Sequence, residues 1–320
     1  MSRAFLFPGQ GSQAVGMGKS LAEAYASARQ TFEEVDDALG QRLSSLMWEG
    51  PESELTLTEN AQPAIMAASM AVVRVLMADG GLELGRYARI VAGHSLGEYT
   101  ALAAAGAFSL ADAARLLKTR GQAMQAAVPV GVGAMSALLG ADPELAEAAA
   151  REAVAAALPG EGAPVCVVAN DNAPGQVVIS GTAAAVARAG EIARAKGAKR
   201  AMPLAVSAPF HCPLMKKAAD VMAEALSQVT IRPPVVPLIA NVTAAEVSEP
   251  ERIRQLLIEQ VTARVRWRET ILSFRDLGID ATVEFGGNKV LTGMVKRTDK
   301  DLMPITLDSP ADIEAFAKSL

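Results

Sequence analysis

Short apolar runs alternate along the chain with longer stretches in which apolar residues recur at helical spacing. Arg3 to Phe7 reads as a first strand that ends at Pro8. Helical patterns follow near residues 20–39 and from about 62 to 79, the second opened by Asn60, Ala61, Gln62 and Pro63. That second stretch, PAIMAASMAVVRVLM, is apolar on nearly every face and therefore predicts a buried helix. Residues 88–92 form another apolar strand, and Ser109 with Asp112 marks the start of a helix running towards residue 127. Strands alternating with helices in this way predict an α/β protein with a mostly parallel sheet.

Between about 132 and 206 the rhythm changes. GAMSALLG reads as a strand, Asp142 to Leu158 as a helix, VCVVAN as a strand, and QVVISG as a strand after the turn at 171–175. Thr182 to Lys196 then reads as a helix and Arg200 to Val206 as a strand. This β-α-β-β-α-β order is that of a ferredoxin-like unit. The expected organisation is a discontinuous α/β body, 1–131 with 207–320, carrying an inserted subdomain at 132–206. The cleft between them is the expected place for a site.

Composition narrows the classes of partner. Of the 320 residues 51% are apolar, ample for a sizeable core, while a net charge of -5 argues against nucleic acid as the main partner. The start, MSRAFLFPGQGS, lacks the continuous apolar run of a signal peptide. Every long apolar stretch is broken by charge, glycine or proline well short of about 18 residues, so no membrane span is expected. Cys166 and Cys212 give neither a disulfide framework nor metal-ligand spacing. The expected address is the cytoplasm, and the expected state a monomer.

The candidate chemistry lies in GHSLGE, residues 93–98, between the strand at 88–92 and an alanine-rich helical run. In a nucleophile elbow the serine sits on a cramped strand-to-helix turn whose flanking positions must be small, and the hydroxyl is pushed into open space. Gly93 and Gly97 meet that demand around Ser95, and the following helix aims its amides at the place where an oxyanion would form. A capping serine in a glycine-rich turn is the plainer reading of the same residues. Serine needs a base, and the chain has two histidines, His94 and His211. His94 adjoins the serine within the turn and is poorly placed to reach its hydroxyl, which leaves His211, in VSAPFHCPLM, as the candidate. Cys212 is a weaker rival nucleophile, with nothing like an elbow around it.

Taken together, FPGQGSQ at 7–13, NAQPAI at 60–65, GHSLGEYTAL at 93–102, RGQAM at 120–124, NDNAPGQVVISG at 170–181, VSAPFH at 206–211 and KVLTGMVKR at 289–297 resemble the malonyl-CoA:acyl carrier protein transacylases. The resemblance runs in order over nearly the whole chain. It implies an α/β-hydrolase-like body with a ferredoxin-like insert. It also implies a ping-pong cycle in which Ser95 takes malonyl from malonyl-CoA and passes it to the phosphopantetheine thiol of an acyl carrier protein. No bound cofactor is implied; the coenzyme A thioester is the substrate.

By the same resemblance, Leu96 and Gln10 supply the oxyanion amides, Arg120 receives the malonyl carboxylate, and the main-chain carbonyl of Gln260 orients His211 in place of a triad acid. Phe210 and His94 are expected at the acyl pocket, and Asn170 along the cleft. EFGGNKVL at 284–291 carries Gly287-Asn288 where the family pattern has proline and glycine, a departure that bears on local loop shape. An acidic carrier would dock on basic residues, sought at Lys289, Lys296 and Arg297, at Arg264, Arg266 and Arg268, and at Lys216 and Lys217. Two other classes remain open: a serine esterase or thioesterase, which needs no Arg120, and a non-catalytic carrier-binding scaffold.

Overall fold

A computed structural model describes residues 2–160, 162–206 and 208–320. Ser207, in the VSAPFH motif and at the expected return to the body, lies outside them. The strands are β1 Arg3–Phe7, β2 Ile90–Gly93, β3 Gly133–Leu139, β4 Cys166–Ala173, β5 Gln176–Thr182, β6 Arg200–Pro203, β7 Leu238–Ile239, β8 Glu246–Val247, β9 Ala281–Phe285 and β10 Met303–Leu307. They form a six-stranded sheet in the order β10-β9-β1-β2-β7-β8 and a separate four-stranded sheet in the order β4-β5-β3-β6. The larger sheet is parallel except for the short β7–β8 pair, and the smaller is antiparallel.

The continuous apolar character of β1 has a direct cause. Phe5 and Phe7 pack into one core cluster, with helices Thr58–Ala78, Gly97–Ala104 and Leu110–Ala126. Ala4 and Leu6 pack into another, with helices Trp267–Asp276 and Val290–Thr298. Both faces are covered, so no polar alternation survives.

Several local expectations shift. The helix expected at 20–39 is two, Lys19–Ala24 and Ala26–Leu39, because Tyr25 adopts extended backbone and packs its side chain against the core. The helix expected from about 62 begins at Thr58: the amides of Asn60 and Ala61 already bond to the Leu57 carbonyl, and Pro63 sits inside it. This helix is, against expectation, long and apolar enough by length and composition to cross a membrane, but 83% of its most apolar 18-residue window is buried inside the molecule. Its apolar surface is already matched by neighbouring helices and the sheet.

The four-stranded sheet carries helices Pro143–Ala155 and Ala183–Ala195 in strand-helix-strand-strand-helix-strand order. Asp142 caps the first, its side chain accepting the Leu145 amide at 2.8 Å. Their faces against the sheet are almost all alanine, including Ala146, Ala149, Ala153, Ala185, Ala189 and Ala193, which lets helices approach closely over Leu138, Val177 and Ile179. β4 runs on through Ala173, past the start of the expected turn, because irregular pairing absorbs an extra residue near Asn170 and again near Asn172. β6 stops at Pro203, short of Val206. At its far end β4 is tied to the body by two backbone bonds with Val265 and by the Asp171–Arg268 ion pair at 2.8 Å.

Candidate active site

The loops that follow β1, β2, β7 and β9 lie at the carboxyl ends of parallel strands, where open α/β sheets place ligands. Those after β1 and β2, with the helix Val290–Thr298 that follows β9 and with Met135 of β3, Asn170 of β4 and Val178 of β5, line a cavity of about 330 Å³.

At the end of β2 the backbone folds back so tightly that a Cβ on Gly93 would lie 1.9 Å from the Gly97 carbonyl, and one on Gly97 would lie 2.2 Å from the Phe7 oxygen. Only glycine fits at either place. Between them Ser95 takes φ 54°, a left-handed conformation that costs a non-glycine residue energy and persists only where the surroundings impose it. Asn241, just beyond β7, supplies that imposition: its Oδ1 accepts the Ser95 amide at 2.8 Å and its Nδ2 donates to the Gly93 carbonyl at 2.7 Å.

His211 is also left-handed, at φ 56°, and nearly fully buried. Its Nδ1 lies 2.9 Å from the main-chain carbonyl of Gln260, and its Nε2 lies 2.8 Å from Ser95 Oγ. A carbonyl only accepts, so Nδ1 carries the hydrogen and Nε2 presents its lone pair to the serine hydroxyl. Burial, reinforced by the nearby charge of Arg120, pulls the His211 pKa down to about 3. The imidazole is therefore a neutral acceptor at rest.

Arg120, on helix Leu110–Ala126, is 1% exposed. Its Nη2 donates to Ser95 Oγ at 3.1 Å and to Gln260 Oε1 at 2.9 Å, and its Nη1 to Gln62 Oε1 at 2.9 Å. Burial lowers its pKa, while Tyr99 and Glu98 oppose the shift. A buried guanidinium held by neutral amides and a hydroxyl is short of a full counter-charge, as a receptor for a substrate carboxylate should be.

The Pro8-Gly9-Gln10 loop passes directly over the turn at 93–97. A Cβ on Gly9 would lie 2.7 Å from the His94 carbonyl, so glycine is needed for the close approach. Ser12 Oγ closes the loop by donating to the Gly9 carbonyl at 2.6 Å. Among the described residues the amides of Gln10 and Leu96 make no hydrogen bond. The segment carrying Gly287-Asn288 braces this loop: Gly286 to Lys289 all have positive φ, Gly287 lies against Pro8, and Asn288 Nδ2 donates to the Ser12 carbonyl at 3.1 Å.

His94 does not serve the serine. Its Nε2 pairs with Asn172 Oδ1 at 2.8 Å, its ring meets Trp267 edge-on with centroids 5.4 Å apart, and burial lowers its pKa. It does line the cavity, as do Gln10, Arg120, Asn170, Phe210 and His211. Cys212 is buried, donates to the Pro209 carbonyl at 3.1 Å, and has its pKa raised by burial, all of which keep it a thiol. Of the basic residues considered for docking, Arg264, Arg266, Arg268 and Lys216 are paired with Glu147, Glu269, Asp171 and Asp220. Lys217, Lys289, Lys296 and Arg297 are at least partly exposed.

Asn241, the side chain of Gln260, Glu98 and Asn172 escaped the sequence reading. Asn241 stands at the carboxyl end of a parallel strand, a position that could have drawn notice. Glu98 is the one charged residue of a wholly buried helix, a second such signal.

A family model described as an acyl transferase domain matches residues 4–312. The chain is 46% identical over 317 residues to the malonyl CoA-acyl carrier protein transacylase of Bacillus subtilis, covering 99% of this chain and 96% of that protein. It is 44% identical over 312 residues to that of Escherichia coli K12, covering 98% and 97%. The crystal structure of an acyl-carrier-protein-S-malonyltransferase from Bartonella henselae superposes with a TM-score of 0.95 at 53% identity, covering 100% and 99% of the two chains. A malonyl-transacylase solved in complex with a type II polyketide synthase acyl-carrier protein matches with a TM-score of 0.94 at 42% identity, covering all of both chains.

Proposed function

The chain belongs to the acyl transferase domain family, and from that premise we propose that it moves a malonyl group from malonyl-CoA to the phosphopantetheine thiol of an acyl carrier protein, through an ester on Ser95, in fatty-acid or polyketide synthesis. One observation carries the reading: Ser95 Oγ lies 2.8 Å from the acceptor nitrogen of His211 and 3.1 Å from Arg120 Nη2, at the floor of one cavity.

In the first half-reaction Ser95 Oγ–H gives its proton to His211 Nε2 as the oxygen adds to the thioester carbonyl. The carbonyl oxygen becomes an oxyanion facing the free amides of Leu96 and Gln10; removal of one such donor typically costs about 2.7–4 kcal/mol of barrier. Collapse breaks the C–S bond, and the departing thiolate takes the proton from His211. In the second half the carrier thiol gives His211 its proton and attacks the ester carbonyl; the C–O bond to Ser95 then breaks and Ser95 Oγ takes the proton back from His211. Throughout, Arg120 pairs with the free malonyl carboxylate and holds the reacting carbonyl over the serine. The Gln260 carbonyl keeps His211 in the useful tautomer, and neutral Gln260 stabilises imidazolium less than an acid would, which suits a nearly thermoneutral exchange between thioesters. Met124, Met135, Val178, Phe210 and Met294 form an apolar lining that keeps water from the ester, Phe210 crowding an α-branched acyl group and His94 bounding the pocket.

We read the larger sheet and its helices, 1–131 with 207–320, as an α/β-hydrolase-like body with Ser95 on a nucleophile elbow, and 132–206 as a ferredoxin-like insert roofing the cleft. The enzyme is read as a cytoplasmic monomer. Lys289, Lys296 and Arg297 are the proposed dock for an acidic carrier, since they lie at the surface on and beside a helix whose Val290, Leu291 and Met294 line the cavity. The test is mass spectrometry of the protein mixed with malonyl-CoA. A stable adduct of malonyl mass on the Ser95 peptide, lost on adding carrier thiol, is expected. Prompt loss to water would mark a hydrolase, and no adduct at all would overturn the reading.

A further inference from the structure

Glu98 has no role in the proposed mechanism, yet it is fully buried beside it, on helix Gly97–Ala104. Burying a carboxylate without a compensating cation in contact is costly, and no other residue of this helix carries a charge. Oε2 accepts two bonds, from Gln260 Nε2 at 2.8 Å and from the Asn241 backbone amide at 3.2 Å, while among the described residues Oε1 has no partner. The same Gln260 Nε2 donates to the Ser95 carbonyl at 2.9 Å, and Gln260 Oε1 accepts from Arg120 Nη2 at 2.9 Å.

An amide has one donor end and one accepting end. Here the accepting end must face Arg120, because a guanidinium has only hydrogens to offer, and the donor end must face Glu98 and the Ser95 carbonyl. Glu98 is the strongest acceptor at that end, so it sets which way the amide lies and how firmly it is held. Through it, it sets the guanidinium. We propose that Glu98 is a positioning residue that holds the Gln260 amide so that Arg120 stands ready for the substrate's carboxylate. A second arm, through the Asn241 amide, steadies the residue that braces the strained serine. Burial holds the Glu98 carboxyl up to about 7, against the opposing hydrogen bonds of Gln260 and Asn241 and the charge of Arg120.

The proposal rests on Ser95 as nucleophile and Arg120 as carboxylate receptor, and its experiment separates the two layers. Acyl-enzyme formation is measured with malonyl-CoA and with acetyl-CoA in the wild type, Glu98→Gln and Glu98→Met. Gln keeps an oxygen where Oε2 stands, whereas Met keeps the length and removes the acceptor. In Glu98→Met the ratio of malonyl to acetyl acylation is expected to fall about ten-fold, the loss typical of a missing bond to a charged group. In Glu98→Gln it is expected to stay within about three-fold of wild type.

A purely structural role would lower both acyl groups together, and an unchanged ratio in Glu98→Met overturns the proposal. Should that variant fail to fold, Gln260→Met breaks the same link from its other side, and an unchanged ratio there overturns it equally. If the wild type itself forms no ester on Ser95, the reading of the site falls and this proposal falls with it; if the wild type is acylated but the variants keep its ratio, only the role of Glu98 fails.

Discussion

The two walls of the cleft are built on opposite principles. The wall from the parallel sheet is over-determined: glycines with no room for a methyl group, Ser95 and His211 held at positive φ, and a connected set of buried polar groups from Gln62 through Arg120, Gln260 and Glu98 to Asn241. The wall from the antiparallel sheet offers the cavity Met135 and Val178, Leu204 just past β6, and two amides, Asn170 and Asn172, at the end of β4, and keeps a core of alanine and aliphatic residues behind them. The first wall has one solution and holds the residues of the proposed chemistry. The second supplies shape, and shape tolerates change.

Substitutions sharpen that contrast. On the polar wall, His211→Ala should slow Ser95 acylation about 1,000-fold or more, read by stopped-flow release of coenzyme A, while the cavity still binds substrate. Arg120→Ala should cut malonyl acylation about 10- to 100-fold and favour acetyl over malonyl, because a charge-assisted bond is lost for one acyl group only. Undiminished use of malonyl by that variant would mean that the guanidinium does not select the substrate. Reversing the charges of Lys296 and Arg297 should raise KM for the carrier roughly ten-fold and leave acylation by malonyl-CoA unchanged, a split that equal damage to both half-reactions would refute.

Acid sensitivity should also follow the polar wall, since both histidines stand on it. Burial, Arg120 and His94 depress the His211 pKa to about 3, while hydrogen bonds to Gln260 and Ala263 oppose them. The folded state therefore binds fewer protons than the unfolded chain between about 6.5 and 3. The stabilisation is complete above about 6.5 and is lost as pH falls towards 3. Thermal melts across that range should drop steeply for the wild type and less steeply for His211→Gln. A single methyl group also separates the two walls. Gly97→Ala drives a Cβ into the Phe7 carbonyl and should destabilise by about 3 kcal/mol or more. Gly190→Ala meets only the Ala201 methyl at 3.1 Å, on an edge strand, and should change stability by less than about 1 kcal/mol, helix propensity offsetting the contact.

Much of this was legible in the chain. The tight turn after β2 could be read because its demand for small residues shows locally: Gly93 and Gly97 stand two positions either side of Ser95. The alternation of strands and helices was readable for the same reason, since burial on one or both faces leaves a period in the sequence. The partner of Ser95 was reachable only by elimination between two histidines, and the place of Arg120 only through the resemblance. The network behind them was not legible. The positions of Asn241 and Glu98 could each draw notice singly, but nothing local joins them to each other or to the Gln260 side chain, Glu98 lying 143 positions from Asn241 and 162 from Gln260 along the chain. A buried hydrogen bond imposes a requirement for a partner but says nothing of where in the chain that partner lies.

The sequence by itself determined the local geometry: which residues turn, which face the core, and which serine is thrust out at a bend. The tertiary structure alone decided the electrostatics. It buried Arg120, pulled His211 down and pushed Glu98 up, because desolvation and charge proximity depend on what the fold packs around a group, and distance along the chain does not limit them.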